Sequence, residues 1–148
     1  MPAADTAAII CDTGALLDYL VAGATDHHLF KRAIDRSRTR YVPGLVLAEL
    51  DYFLRDERVA MRRFVQDLRR GAFTYAPPAI DQILRAMQID ERHPALGLGL
   101  VDASIVALAD DLGVTRIATR DVRHFTAVRL TNGRPFEFVV HPTNPDRS

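Results

Sequence analysis

The chain has 148 residues, of which 48% are hydrophobic and 26% charged, a balance that excludes a disordered chain and suits one domain around a single core. Lys plus Arg and Asp plus Glu both number 19, so no bulk charge draws nucleic acid or a membrane, and any such binding has to come from a local patch. Cys11 is the sole cysteine, which excludes an internal disulfide and a thiolate metal cluster.

Met1 to Thr6 reads as a loose start without the pattern of a secretory signal, and no apolar run is long enough to cross a bilayer, so a cytoplasmic location is expected. The first strand covers about residues 8–12. Its Ile9-Ile10-Cys11 segment is apolar and largely β-branched, as in a fully buried strand, with Cys11 as a small core residue. It ends in Asp12, and Thr13-Gly14 hands the chain to a helix at about 15–21, stopped by Gly23. Asp26 is placed to cap a second helix that runs to about Ser37. Its adjacent His27 and His28 do not share a helix face and read as surface residues.

Arg40 to Pro43 reads as the second strand, followed by helices at about 44–54 and 59–70. Phe73 to Ala76 is a third short strand, closed by Pro77-Pro78. A helix from Ala79 to about Ile89, a loop from Glu91 to Gly99 and a helix from Leu100 to Leu112 follow, and Thr115 to Thr119 is the fourth strand. Residues 128–130 and 136–140 flank Asn132-Gly133, which suggests a hairpin or a tight turn. Residues 141–148 read as a polar tail. Strands alternating with helices imply a mostly parallel sheet covered on both faces, in one domain over residues 1–148 with a core at about 8–140.

Most acidic residues have a plain reading. Asp51 is spaced to pair with Arg55, and Asp110 and Asp111 read as solvated. Four need more. Asp12 ends a strand, where open α/β sheets place ligands, although on this stretch alone capping the next helix is the commoner use. Glu49 has Leu45, Val46, Tyr52 and Phe53 as its helical neighbours, so it lies on or beside an apolar face with no base in its helix to match it. Asp102 lies in a first helical turn, where the dipole favours an anion with or without a site. Asp121 follows the fourth strand. If the first and fourth strands are neighbours, all four carboxylates meet on one cleft, and such a cluster needs a cation. Oxygen ligation suits Mg²⁺ or Mn²⁺, and the implied chemistry is hydrolysis of a phosphodiester.

Four motifs carry a resemblance: Cys11-Asp12-Thr13-Gly14-Ala15-Leu16-Leu17, Val46-Leu47-Ala48-Glu49-Leu50, Leu98-Gly99-Leu100-Val101-Asp102-Ala103-Ser104 and Thr119-Arg120-Asp121-Val122-Arg123-His124-Phe125. In this order the chain resembles the PIN domains, and specifically the VapC-type toxin ribonucleases of toxin–antitoxin pairs. The resemblance implies a three-layer α/β/α fold and a Mg²⁺- or Mn²⁺-dependent endoribonuclease that cuts RNA such as tRNA or rRNA. It also implies a cognate VapB-type antitoxin and a homodimer. Asp12, Glu49, Asp102 and Asp121 match the family's acidic metal-binding and catalytic set, and Thr13 and Thr119 match positions that support it. Gly14 stands where many relatives carry Ser.

Arg120, Arg123 and His124 flank Asp121 and are candidates for holding RNA phosphates, with plain surface as the other reading. Of the 19 basic residues only Lys31 is a lysine, a bias that codon usage explains better than phosphate binding does. The alternative function is a catalytically silent PIN-like module that grips RNA or protein. A phospho-acceptor or phosphatase built on Asp12 ranks third, because the only lysine lies in an early helix and Gly14 occupies the place of a second aspartate.

Overall fold

The structure is a computed structural model, and it describes residues 8–145; the start expected at Met1 to Thr6 and the last three residues lie outside the described part. Five strands form one parallel sheet: β1 (Ala8–Cys11), β2 (Thr39–Pro43), β3 (Thr74–Ala76), β4 (Arg116–Ala118) and β5 (Glu137–Phe138), in the order β3-β2-β1-β4-β5. Seven helices connect them among the described residues: α1 (Thr13–Leu20), α2 (His27–Arg36), α3 (Gly44–Phe53), α4 (Arg58–Arg69), α5 (Ile80–Arg92), α6 (Gly99–Leu112) and α7 (Val122–Thr126).

From β1 the chain steps outward to β2 and β3 through α1 to α4. It then crosses back over the sheet to β4 through α5 and α6. Parallel crossovers are right-handed, so steps in opposite directions leave their helices on opposite faces. The result is the expected α/β/α sandwich. The register is tight at the centre: Ile10 and Cys11 of β1 pair with Ile117 and Ala118 of β4. Because the strand order reverses between β1 and β4, a crevice opens beyond their carboxyl ends.

Burial follows the sequence pattern. Ile9, Ile10 and Cys11 are fully buried, as a central parallel strand requires. Helix α6 is buried without interruption from Ala103 to Ala109, which is why its small residues leave little amphipathic stripe. Gly113 ends it in the left-handed region, with φ of 66°, a conformation that glycine adopts at no steric cost.

Of three local expectations, the tight turn at Asn132-Gly133 holds without a hairpin, the Asp51–Arg55 pairing needs correction, and exposed Asp111 is ion-paired as well as solvated. The residues around Asn132-Gly133 make a tight turn, in which Leu130 N donates to the Arg134 carbonyl, but no hairpin of strands forms. The only antiparallel pairing there is a bridge between Arg129 and Pro135, and β5 instead joins β4 in parallel. Phe136 packs against buried Phe125 with ring centroids 5.3 Å apart, which ties this segment to the core rather than to its sequence neighbour. Asp51 pairs with Arg58 at 2.8 Å, while Arg55 donates to the Tyr52 carbonyl. Asp111 pairs with Arg85 at 2.6 Å, and Asp110 accepts from Thr131 N.

Candidate metal centre

Beyond Cys11 the pairing of β1 with β4 runs one residue further, where Asp12 N donates to the Ala118 carbonyl at 2.9 Å. That bond sets Asp12 beside Thr119. Thr119 Oγ1 donates to Asp12 Oδ2 at 2.8 Å, and Thr13 N donates to Oδ1 at 2.7 Å. Asp12 therefore caps α1 and lines the crevice at once, so the two readings of this residue coexist. Thr119 Oγ1 also accepts from Asp121 N at 2.9 Å, so one hydroxyl fixes the two strand-end aspartates relative to each other.

Glu49 sits at the edge of the apolar face of α3, with Val46 and Leu50 buried below it and Tyr52 and Phe53 exposed beyond it. Its partner comes from another element: Thr13 Oγ1 donates to Glu49 Oε1 at 2.6 Å. Asp102 rises from the first turn of α6. The nitrogen Nδ1 of His124 lies 2.6 Å from Asp102 Oδ2 and 2.8 Å from Asp121 Oδ2. The fold thus brings all four acidic residues, with Thr13, Arg123 and His124, onto one cleft of about 920 Å³. Thr119, 1% exposed, supports the cleft from beneath.

Burial and crowding act on these carboxyls together. The Asp12 carboxyl is pushed up to about 6, first by burial and then by the Glu49 and Asp121 charges, against the lowering hydrogen bonds from Thr119 and Thr13. Asp102 is pushed up to about 9 by burial, by Asp12, by its contact with Asp121 and by Glu49. Such a set is unfavourable when fully ionised and is relieved by a cation of high charge. The chemistry of the donors, mostly carboxylate oxygen, fits a hard or borderline divalent ion.

A pH dependence follows. A carboxyl whose pKa is higher folded than unfolded binds its proton more tightly in the native state, so its ionisation costs stability as pH rises. For Asp12 and Asp102 that loss runs from the ordinary carboxylate range up to about 6 and about 9. Asp26, Asp35 and Asp111 are shifted downward and lose their stabilisation only in acid, below this window. A divalent cation binds the ionised form and releases protons. Thermal denaturation should therefore show a Mg²⁺- or Mn²⁺-induced rise in Tm that grows between about pH 5.5 and about pH 8.5. A rise that shrinks over that interval contradicts the cluster's electrostatics.

Arg120 has a different environment from the one its position suggests. Its Nη1 bonds Asp18 Oδ2 at 2.6 Å and Asp26 Oδ2 at 2.7 Å. Its Nη2 donates to the carbonyls of Thr143 and Asn144. Asp26 is 2% exposed and makes no side-chain cap bond to α2; its carboxylate instead also accepts from Thr143 N at 2.8 Å and Thr143 Oγ1 at 2.9 Å. The guanidinium is committed to this network, although Arg120 lines the cleft together with exposed Arg123.

The same network explains Gly14. A Cβ there would stand 3.1 to 3.3 Å from the Arg120 side-chain stem, so the stem lies where a serine would begin. Gly14→Ser is expected to destabilise the chain by about 1 kcal/mol as Arg120 is pushed aside. In an Arg120→Ala background the same change should cost almost nothing. Urea denaturation of the four proteins of this double-mutant cycle measures the coupling, and strictly additive costs count against the contact.

The model of the PIN domain family matches residues 9–129. The chain is a PIN-domain protein. Within that family it is 34% identical over 137 residues to Ribonuclease VapC26 of Mycobacterium tuberculosis, a match covering 88% of this chain and 99% of that one. This places the PIN domain in the VapC branch. Its fold is also that of VapC20 of Mycobacterium tuberculosis, described as a sarcin-ricin loop cleaving toxin, with a TM-score of 0.66 and 21% identity over 74% of this chain and 86% of that one. A toxin–antitoxin complex from Klebsiella pneumoniae matches with a TM-score of 0.65 and 19% identity over 81% of this chain and 92% of that one. VapBC2 of Rickettsia felis, bound to a DNA fragment from its promoter, matches with a TM-score of 0.64 and 13% identity over 88% of this chain and 98% of that one. The reversal of strand order between β1 and β4 is therefore where this PIN domain gathers its carboxylates.

Three features of the site escape a reading of the sequence. Helix α7 is one short turn, too brief for a periodicity to register. The inward turn of His124 has a faint signal, its spacing of three residues from Asp121 on a helical segment. The Arg120 network has none, since it joins residues as far apart as Asp26 and Thr143.

Proposed function

We propose that this chain is the toxin component of a toxin–antitoxin pair, an endoribonuclease that hydrolyses RNA phosphodiesters in tRNA or rRNA with Mg²⁺ or Mn²⁺. The observation that carries the reading is the meeting of Asp12, Glu49, Asp102 and Asp121 on one cleft in a chain 34% identical to a ribonuclease. Asp12, Asp102, Asp121 and Glu49 would hold the ion. A bound divalent cation polarises a phosphate and lowers the pKa of its water. Thr119 and Thr13 hold the Asp12 oxygens in place, and Thr13 does the same for Glu49. Fixing these groups before substrate arrives avoids reorganisation in the transition state. Arg123 offers a phosphate contact at the cleft mouth.

The partner is a VapB-type antitoxin, in keeping with the structural relatives that are toxin–antitoxin complexes. A homodimer is supported by α5, which exposes Ile80, Leu84 and Met87 at helical spacing on one face. Among the described residues no helix is long and apolar enough to cross a membrane, and the site of action is the cytoplasm, where the RNA substrate lies. Sequencing RNA ends after brief expression in bacterial cells tests the reading. The expected result is a small set of new ends in one RNA class. Identical end profiles for the wild type and for an Asp12→Asn, Asp102→Asn variant would overturn it.

A further inference from the structure

We infer that His124 is itself a ligand of the divalent ion, which makes the centre a mixed nitrogen and oxygen site that prefers a first-row ion such as Mn²⁺ over Mg²⁺. The inference rests on the metal-dependent reading above. One ligand atom each of Asp102, Asp121 and His124 lies within 4.8 Å of the other two, and the imidazole Nδ1 sits between the two aspartate Oδ2 atoms at 2.6 and 2.8 Å. Neighbouring donors on an octahedral ion with bonds of about 2.1 Å stand roughly 3 Å apart. Each Nδ1–Oδ2 pair, at 2.6 and 2.8 Å, needs to part by only a few tenths of an ångström to reach that spacing.

Two elements converge to set this arrangement. Asp102 comes from α6 and His124 from α7. The orientation of α7 is fixed from below, because Phe125 is fully buried and packs edge-on against Phe136. With Phe125 held in the core, the preceding side chain turns toward the acidic cluster instead of toward solvent, and His124 is only 18% exposed. Here Nδ1 is directed at two carboxylates that the proposed function already assigns to metal.

The nitrogen donor has a selectivity consequence. Carboxylate and water suit Mg²⁺, whereas imidazole favours the later first-row ions. Mg²⁺ also keeps several waters and gains little from an imidazole, while Mn²⁺ accepts one readily.

Pulsed electron paramagnetic resonance on the full chain loaded with Mn²⁺ tests this directly. Wild-type protein should show the nitrogen modulation of a ligated imidazole, and its frequency should change when histidine carries the heavy nitrogen isotope. In His124→Asp the modulation should vanish while Mn²⁺ remains bound. Calorimetry should then show the Mn²⁺-to-Mg²⁺ affinity ratio falling by about 10-fold. The labelled wild type decides the matter even if the variant does not fold. Bound Mn²⁺ without nitrogen coupling overturns the inference and leaves the carboxylate centre standing. Failure of the wild type to bind either ion overturns both.

Discussion

A purified Asp12→Asn, Asp102→Asn variant should fold and lose RNA cleavage. These two residues carry the most perturbed carboxyls of the cleft, pushed up to about 6 and about 9, and each sees the charge of the other acidic groups. Asparagine keeps the shape and one oxygen but removes the charge that would hold a cation. Losing the ion removes several kcal/mol of transition-state stabilisation, so the rate should fall by about 10³-fold or more. The fold should survive. Asp12 is 6% exposed and its burial disfavours the ionised form, so replacement by a neutral isostere relieves a cost. Circular dichroism and thermal melting establish the folded state, and cleavage of a defined RNA establishes the rate. A folded variant that cuts at the wild-type rate would remove both residues from the mechanism.

Arg120→Ala should produce the largest loss of stability among single changes near the site. The guanidinium is 15% exposed and stands between Asp18, 13% exposed, and Asp26, 2% exposed. Removing it leaves two carboxylates with little solvent and no cation. Breaking a buried ion pair from one side costs about 3 kcal/mol, which for a chain of this size lowers Tm by roughly 10 °C. The loss should come from the orphaned charges more than from lost packing. Asp26→Asn in the Arg120→Ala background should therefore restore part of the stability, although alone it is destabilising because it removes acceptor strength for Arg120 and Thr143. Arg120→Lys should fall between, since one ammonium cannot reproduce the planar fork that spans both carboxylates and the Thr143 and Asn144 carbonyls. Equal losses for Arg120→Ala and for the double variant would show that the pairing contributes nothing.

The parts of the fold that were legible in the sequence share one cause. Ile9-Ile10-Cys11, Val42-Pro43 and Ala103 to Ala109 of the helix at Gly99–Leu112 are buried, and burial writes a hydrophobic pattern directly into local sequence. The carboxylates stood out because they break that pattern. Asp12 ends an apolar strand, and Glu49 sits beside an apolar face without a base in its own helix. The meeting of Asp12 with Asp121 depends on β1 and β4 being neighbours, which the alternation of strands and helices already favours.

What was not legible depends on distant contacts. Asp26 has the form of a helix cap, and only the return of Thr143 and the reach of Arg120 from 94 residues away give its carboxylate another use. Arg120 beside Asp121 has the form of a phosphate contact, and nothing local distinguishes the two fates of its guanidinium. Asn132-Gly133 has the form of a hairpin turn. The segment beyond it instead follows Phe136 onto Phe125 and then joins β4 in parallel, because that docking buries two aromatic rings. Short-range turn chemistry was read correctly there and long-range packing decided the pairing.

The central claim, that the carboxylate cluster on this PIN domain is a metal-dependent ribonuclease site, is tested most directly by following one defined RNA with the purified chain. With Mg²⁺ or Mn²⁺ present the RNA should be cut at discrete positions, EDTA should abolish the cuts, and metal added in excess of EDTA should restore them. The same cuts appearing at the same rate in EDTA would contradict the account.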